Sequence, residues 1–224
     1  MKISTFTMKD LLGAGAHYGH IREKYNPKMK QYIFGLREGV HLIDLEQTVL
    51  KLSSALVFIQ DLKKQGKNIL FVCTKPQVNN AVKEIAIKNN WYFITNRWPG
   101  GLLTNFSTLK KQIEKLRNME AMVGGEKWEE LTKKEKSSIG KEINRLNKNF
   151  EGVKNMLKVP DAIFVIDTIV EKTAIAEAKT LKLPVVALVD SNSDPSSVAF
   201  PIPINDDVKE VVTMILGEVE KALE

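Results

Sequence analysis

The sequence predicts an α/β protein with a parallel sheet and a pair of helices inserted into it. Apolar runs without alternation, of which Ile69–Cys73 and Ala162–Ile166 are typical, have the composition of strands buried on both faces. Segments with apolar residues at helical spacing separate these runs, and residues 107–158 interrupt the rhythm with a longer helical pattern. We therefore expect an α/β domain built from residues 1–106 and 159–224, and a projecting helical insertion between them.

Strands and helices are predicted to alternate through the α/β domain. The strands are rich in Val, Ile, Leu and Phe, and are predicted at Val40–Leu45, Ile69–Cys73, Trp91–Ile94, Ala162–Ile166 and Pro184–Val189. The helices are predicted at Met8–Ala16 with Thr7 as its cap, from Asp44 or Glu46 to the Lys63–Gly66 stop signal, at Gln77–Lys88, at Thr168–Leu181, and from Asp206 or Asp207 to Ala222. Phe200–Ile204 is an apolar segment before the last helix.

The insertion carries a narrow apolar seam in two arms. Its apolar residues recur at steps of four and three, at Leu109, Ile113 and Leu116 and then at Ile139, Ile143, Leu146, Phe150, Val153 and Leu157. This heptad pattern, with a turn at Gly124-Gly125, predicts an antiparallel helical hairpin of coiled-coil type, each arm on the order of 25–35 Å long at 1.5 Å per residue. Because most of each helix would face water, we expect the hairpin to reach a partner; the alternative is a solvated charged surface.

The charge of the chain is polarised along its length. Residues 1–158 carry 28 basic and 15 acidic side chains, whereas residues 159–224 carry 5 and 12, so that a net charge of +13 is followed by one of −7. A one-sided positive field of this kind is expected of a protein that binds a phosphate backbone. The alternative is a solvated surface with unevenly distributed charge.

The composition indicates in which cellular compartment the protein resides and which metal or disulfide sites it can form. No apolar run approaches the roughly 20 residues needed to cross a bilayer, and Met1–Phe6 has neither an apolar core nor an Arg-rich pattern. Cys73 is the only cysteine, which excludes an internal disulfide and a Cys-based zinc site. We expect a protein of the reducing cytoplasm with no membrane partner.

Basic and aromatic residues alternate between Arg22 and Arg37, and a turn at Asn26-Pro27 would present them. Cations for phosphates and rings for unpaired bases are the two components of a non-enzymatic RNA surface. The alternative is that residues 32–34 form a strand with their rings in the core, and we expect both: rings partly packed and cations outward. The candidate RNA contacts here are Arg22, Lys24, Tyr25, Lys28 and Lys30.

The junction between a predicted buried strand and a charged helix supplies further candidate RNA contacts. Arg97 and Trp98 place a cation beside a flat ring, and Pro99-Gly100-Gly101 forces a turn that lets the backbone approach a partner. Thr104 and Asn105 are candidate caps for the helix that follows. Packing rather than recognition is the alternative for the Arg-Trp pair. Lys75 is a third candidate, since it follows a strand at the edge where α/β sheets bind ligands.

Two patterns near the N-terminus suggest a site but fail its requirements. Gly13–Gly19 is similar to a phosphate loop, yet it lacks the third glycine of the dinucleotide fingerprint and the Lys-Ser/Thr of a Walker A loop. His17 and His20 lack companion cysteines or carboxylates at zinc-ligand spacing. We expect these histidines to form hydrogen bonds within the fold or to contact phosphate.

Aspartates near the predicted strand ends are the remaining candidates for catalysis. Asp167, Asp190 and Asp194 could hold Mg²⁺ if they converged, but no nucleophile or second carboxylate motif accompanies them. We expect them to cap and form turns, or to hold at most one ion, and we predict no catalysis, cofactor or dedicated metal site. The competing hypothesis is a Rossmann-like enzyme that binds a nucleotide or small molecule at the sheet edge.

The chain resembles a known family, the S-two proteins of the bacterial ribosomal small subunit. The similarity extends in order over most of the chain, at residues 16–20, 26–29, 32–35, 41–45, 74–75, 97–105, 160–165, 189–195 and 203–207. The resemblance implies a parallel five-stranded flavodoxin-like sheet with an inserted helical hairpin. It also implies a structural, non-catalytic protein near the junction of head and body, which contacts small-subunit rRNA and neighbouring ribosomal proteins and supports docking of the mRNA-binding protein S-one where the organism has one.

Overall fold

Five parallel strands form the central sheet of the protein, whose computed structural model describes residues 7–224 and the side chains in that range except those at 126 and 127. The strands of this range are β1 Tyr18–Ile21, β2 Ile33–Arg37, β3 Val40–Ile43, β4 Ile69–Val72, β5 Tyr92–Ile94, β6 Ala162–Ile166, β7 Val185–Val189 and β8 Phe200–Pro203. The central sheet has the order β5-β4-β6-β7-β8, and every neighbouring pair in it is parallel. This is the flavodoxin-like order, so the predicted fold class is confirmed.

Helices cover both faces of this sheet. They are α1 Met8–Gly13, α2 Leu45–Lys64, α3 Asn79–Lys88, α4 Phe106–Met122, α5 Glu126–Glu129, α6 Lys133–Phe150, α7 Lys172–Thr180 and α8 Lys209–Leu223. Alternate residues of β4 belong to two separate core clusters: Ile69 and Phe71 pack with α2, α3 and α8, whereas Leu70 and Val72 pack with α4, α6 and α7. A strand buried on both faces needs apolar side chains at every position, which explains the runs seen in the sequence.

A second sheet of three antiparallel strands, in the order β1-β3-β2, precedes the central one. It is attached to the carboxyl-terminal edge of the central sheet: the amide of His20 donates to Ser191 Oγ at 2.7 Å, and the amide of Asn26 donates to the Ser191 carbonyl at 2.9 Å. A Cβ added at Gly19 would lie 2.6 Å from Ser191 Oγ, so only glycine permits this approach. The loop after β7 thus fixes the position of the N-terminal segment.

Several helices begin later than the sequence predicts. The predicted helix Thr168–Leu181 begins at Lys172, because Asp167 Oδ1 first accepts the amides of Ile169 and Val170 in a turn. Thr7 forms a capping box with Asp10, and Asp44 caps α2, both as predicted. The side chain of Asn105 makes no capping hydrogen bond to α4.

The insertion between β5 and β6 contains the two predicted long helices, α4 and α6. Their apolar residues join one core cluster, but Leu157, the last residue of the predicted seam, is 68% exposed. Lys115 contacts Glu142 and Glu120 contacts Asn147, so these contacts advance in the same direction along both helices. Glu120 also contacts Lys154, which lies beyond the end of α6. An antiparallel hairpin would give the opposite order.

A long connection explains how the contacts between α4 and α6 can follow this order. The segment 123–132 has ten residues: the six outside α5 can span about 20 Å when extended and the four of α5 add about 6 Å, whereas the 17 residues of α4 rise about 25 Å. The chain can therefore return toward the start of α4 before α6 begins. The Gly124-Gly125 pair indicated a tight turn, but it lies at the end of α4 and the connection continues for another seven residues.

Within residues 7–224, no helix combines the length and the apolar character required to span a membrane. The N-terminal residues Met1–Phe6, which entered the prediction of compartment, lie outside the described range.

Candidate nucleic-acid interface

The basic segment between β1 and β2 consists of two short 3₁₀ turns, Arg22–Lys24 and Pro27–Tyr32. Asn26 Oδ1 accepts the amide of Lys28 at 3.0 Å, and Pro27 supplies a backbone angle suited to the first position of the second turn. Met29 is fully buried and Tyr32 is 5% exposed, so they attach this turn to the core. Most of the remaining positions face solvent.

All four candidate cations of this segment are exposed: Arg22, Lys24, Lys28 and Lys30. Lys28 also pairs within the fold, since its Nζ lies 2.5 Å from Asp194 Oδ2 and 3.2 Å from Ser196 Oγ. The ring of Tyr25 is half-buried and stacks on His41, with their centroids 4.1 Å apart. The expectation of packed rings holds for Tyr32 and Tyr25, but Phe34 is 79% exposed.

Arg97 and Trp98 are adjacent in sequence but have opposite environments. Arg97 is exposed, whereas Trp98 is 9% exposed and its indole Nε1 donates to Glu177 Oε1 at 2.8 Å. Trp98 therefore packs in the interior, the alternative considered from the sequence, and we leave it out of the proposed contact surface.

The loop that carries Arg97 is held by hydrogen bonds to Glu177, a residue of α7. In addition to the Trp98 indole, its carboxylate accepts the amides of Gly101, Leu103 and Thr104 and the hydroxyl of Thr104, at 2.8 to 3.2 Å. Burial raises the pKa of this carboxyl, but these hydrogen bonds outweigh burial and lower the pKa below its ordinary value. The loop thus encloses an internal anion. No local sequence signal identifies Glu177, because it lies 79 residues from Trp98.

Lys75 lies in the interior, surrounded by carboxylates. Its Nζ is 2.6 Å from Asp206, 2.8 Å from Asp207 and 3.0 Å from Asp167, and its side chain is 9% exposed. Burial lowers the pKa of Lys75, but the charge of Asp206 and the hydrogen bonds to Asp206 and Asp207 outweigh this and raise it. Since this cation is already neutralised within the fold, we also leave Lys75 out of the proposed contact surface.

The sheet edge near Lys75 holds further titratable groups. Burial and the neighbouring charge of Asp167 raise the pKa of Asp206 to about 8, and burial raises the pKa of the Cys73 thiol to about 12. The Nδ1 of His20 lies 3.0 Å from Asp190 Oδ2, and this hydrogen bond raises the pKa of the imidazole. Three ligand atoms from His20, Asp190 and Asp207 lie within 4.8 Å of one another, as a metal ion would require.

The three aspartates singled out in the sequence do not converge on one site. Asp167 pairs with Lys75 and caps a turn, Asp190 pairs with His20, and Asp194 caps the turn at Pro195–Ser197 and pairs with Lys28. The predicted roles in capping and turn formation are therefore confirmed for Asp167 and Asp194.

The exposed cations lie on loops at one edge of the central sheet. Arg97 follows the carboxyl end of β5, and the Lys28 side chain contacts the loop after β7. Three strand spacings separate β5 from β7, so these strand ends lie about 14 Å apart. This edge can offer several cations to one extended polyanion.

The chain also matches a known protein family. Residues 11–224 match the family described as Ribosomal protein S2, which is nearly the whole of the chain. The match includes the basic segment, both sheets and the inserted helices. The chain therefore belongs to the ribosomal protein S2 family, whose members are structural constituents of the small ribosomal subunit.

Proposed function

We propose that this protein binds small-subunit rRNA through the exposed cations at the carboxyl-terminal edge of its sheet. The cations are Arg22, Lys24, Lys28, Lys30 and Arg97, with Tyr25 packed beside them. The observation that carries the proposal is the basic segment 22–30, where two short turns present four exposed cations and buried Met29 attaches the second turn to the core. Phosphate contacts of this kind fix the position of a protein on RNA without reading its sequence.

Family membership supports binding to the small subunit, meaning its rRNA and proteins. We further propose a location near the junction of head and body, and a contribution to docking of the protein S-one in organisms that have it. The resemblance to the S-two proteins supports both proposals. The ribosome of the cytoplasm is the corresponding location in the cell.

Salt dependence of RNA retention tests the proposed surface. Each phosphate neutralised by Lys or Arg releases counterions, so affinity for a small-subunit rRNA fragment should fall steeply as salt rises. Replacing Lys24 and Lys30 by alanine should reduce the slope of log affinity against log salt by about 1 for each phosphate that is no longer neutralised. Lys88→Ala is the matched control, because that exposed lysine lies on α3 and pairs with Glu220 of α8. An unchanged slope in the double variant would contradict the proposal.

The competing hypothesis of a nucleotide-binding enzyme requires a ligand at the same sheet edge. There, Lys75 and its three carboxylates bind one another, and the loop after β7 is covered by the N-terminal sheet. S2 is a family of structural proteins rather than enzymes. Strong thermal stabilisation by a mononucleotide, without salt-dependent RNA retention, would favour the competing hypothesis.

A further inference from the structure

The loop that connects β5 to α4 is held by a side chain from a distant helix. Glu177 is 9% exposed and accepts five hydrogen bonds, from the Trp98 indole, the Gly101, Leu103 and Thr104 amides and the Thr104 hydroxyl. These donors span seven residues of the loop. We infer that Glu177 is a positioning residue: its carboxylate fixes the loop so that Arg97 faces the proposed RNA surface.

The loop depends on this carboxylate to satisfy its donors. The amides of Gly101, Leu103 and Thr104 point toward one small volume, and Gly101 has a φ of +83°, a conformation in which successive amides converge on an anion. Without a carboxylate there, the buried donors of Trp98 and Leu103 and the part-buried donors of Gly101 and Thr104 would lack an acceptor. Each buried donor left unpaired lowers the stability of the loop. The loop would therefore rearrange or admit water.

Glu177 acts on Arg97 through Trp98. The indole hydrogen bond anchors Trp98 inside the core cluster formed with α4 and α6, while the neighbouring Arg97 is exposed. Among the described residues, no carboxylate lies within ion-pair distance of Arg97, so its charge is not neutralised by the fold. An internal anion that orders the loop from behind leaves this cation available to an external phosphate.

Limited proteolysis tests the positioning role in the free protein. Trypsin cleaves after Arg97 once the loop opens, and the rate at this bond can be followed by mass spectrometry. We expect Glu177→Ala to increase that rate roughly tenfold or more, because the loop amides lose their charged acceptor, and Glu177→Gln to have a smaller effect. Glu220→Ala is the matched control, since it removes a half-buried carboxylate that pairs with Lys88 elsewhere.

Rescue by a small carboxylate separates positioning from a general loss of stability. Formate can occupy the space left in Glu177→Ala and accept the same amides, so added formate should slow cleavage after Arg97 toward the normal rate. Formate should not affect the parent protein or Glu220→Ala. If Glu177→Ala is cleaved after Arg97 at the parent rate, or if formate has no effect on an accelerated rate, the inference is overturned.

The link to RNA rests on the proposed function and is tested separately, in retention of small-subunit rRNA. Arg97→Ala and Glu177→Ala should each weaken retention several-fold, and the double variant should be no weaker than Arg97→Ala alone. If Glu177→Ala weakens retention equally in the presence and absence of Arg97, Glu177 does not act through Arg97 and the inference fails. If Arg97→Ala has no effect while proteolysis responds as expected, the proposed function of Arg97 fails and the positioning of the loop stands.

Discussion

At pH 9, where Asp206 is ionised, replacing Lys75 by methionine should destabilise the protein strongly, because it removes the cation that pairs with two buried carboxylates. Asp206 is 1% exposed and Asp167 is 8% exposed, and both lie within 3.0 Å of the Lys75 ammonium. Removing one partner of a buried ion pair typically costs about 3–5 kcal/mol. At about 2–4 °C per kcal/mol for a chain of this size, the midpoint of thermal unfolding should fall by about 6–20 °C.

A surface ion pair provides the comparison. Lys83 lies 2.6 Å from Glu151, but the two side chains are 33% and 40% exposed. Lys83→Met should therefore cost at most about 1 kcal/mol, since water screens the pair. If Lys75→Met unfolds within about 2 °C of the parent protein while its RNA retention falls, Lys75 is a phosphate ligand and our account of its environment is wrong.

The pH dependence of the Lys75→Met variant gives a second check. The pKa of Asp206 is already raised to about 8 in the folded protein, above its value in the unfolded chain. A group of this kind binds its proton more tightly when folded, so lowering the pH from about 8 toward 5 favours the folded state. Without the Lys75 cation the pKa should rise further. The difference in midpoint between variant and parent should thus shrink as the pH falls from about 10 to about 7, because Asp206 becomes protonated in both proteins. A constant difference over that range would contradict this reasoning.

Three further predictions concern other sites. Arg97→Ala combined with Lys28→Ala should lower incorporation into small subunits while changing the unfolding midpoint of the free protein little; a large drop in midpoint would make these residues structural. Cys73 is fully buried and its thiol pKa is raised to about 12, so a thiol reagent at mildly alkaline pH should modify it only upon unfolding. Gly152→Ala would drive a Cβ into the backbone oxygen of Phe93, so it should lower the midpoint of unfolding in urea. Gly217→Ala is the comparison: a Cβ there, on α8, would meet no atom within 4 Å, so the free energy of unfolding should be unchanged or rise by up to about 1 kcal/mol.

The sequence predicts the central sheet well because a strand buried on both faces needs apolar residues at every position, and such runs are visible in the sequence. Ile69–Val72, Ala162–Ile166 and Val185–Val189 are buried at every residue, and all three were predicted within one residue. β8 was recognised only as an apolar segment. Its two prolines have no N–H and cannot donate to a ladder, but β8 tolerates them because it is an edge strand that pairs with β7 alone.

The environments of Lys75 and Trp98 could not be predicted from the residues around them. A lysine after a buried strand has the same local sequence whether it binds a ligand or a carboxylate from elsewhere in the chain. Asp206 lies 131 residues from Lys75, and Glu177 lies 79 residues from Trp98. Both partners come from the acidic last third of the chain, so part of the charge polarity of the sequence is neutralised inside the fold.

The exposed cations were easier to predict because their positions depend on local structure. Asn26-Pro27 indicated a turn, and that turn places Met29 inside and its neighbours Lys28 and Lys30 outside. The inserted helices were also found from their apolar spacing. Their relative direction depends on the length of the connection, which the position of a glycine pair did not reveal.

The most direct test of the central claim is the position of this protein in a gradient of lysate from the cells that make it. The claim is that the chain is a structural part of the small ribosomal subunit and is held there by RNA. The account predicts that the protein sediments with small subunits, that crosslinks to rRNA concentrate at Arg22–Lys30 and Arg97, and that high salt releases it. Recovery of the whole population at the top of the gradient at low salt, with no crosslinks to rRNA, would contradict the account.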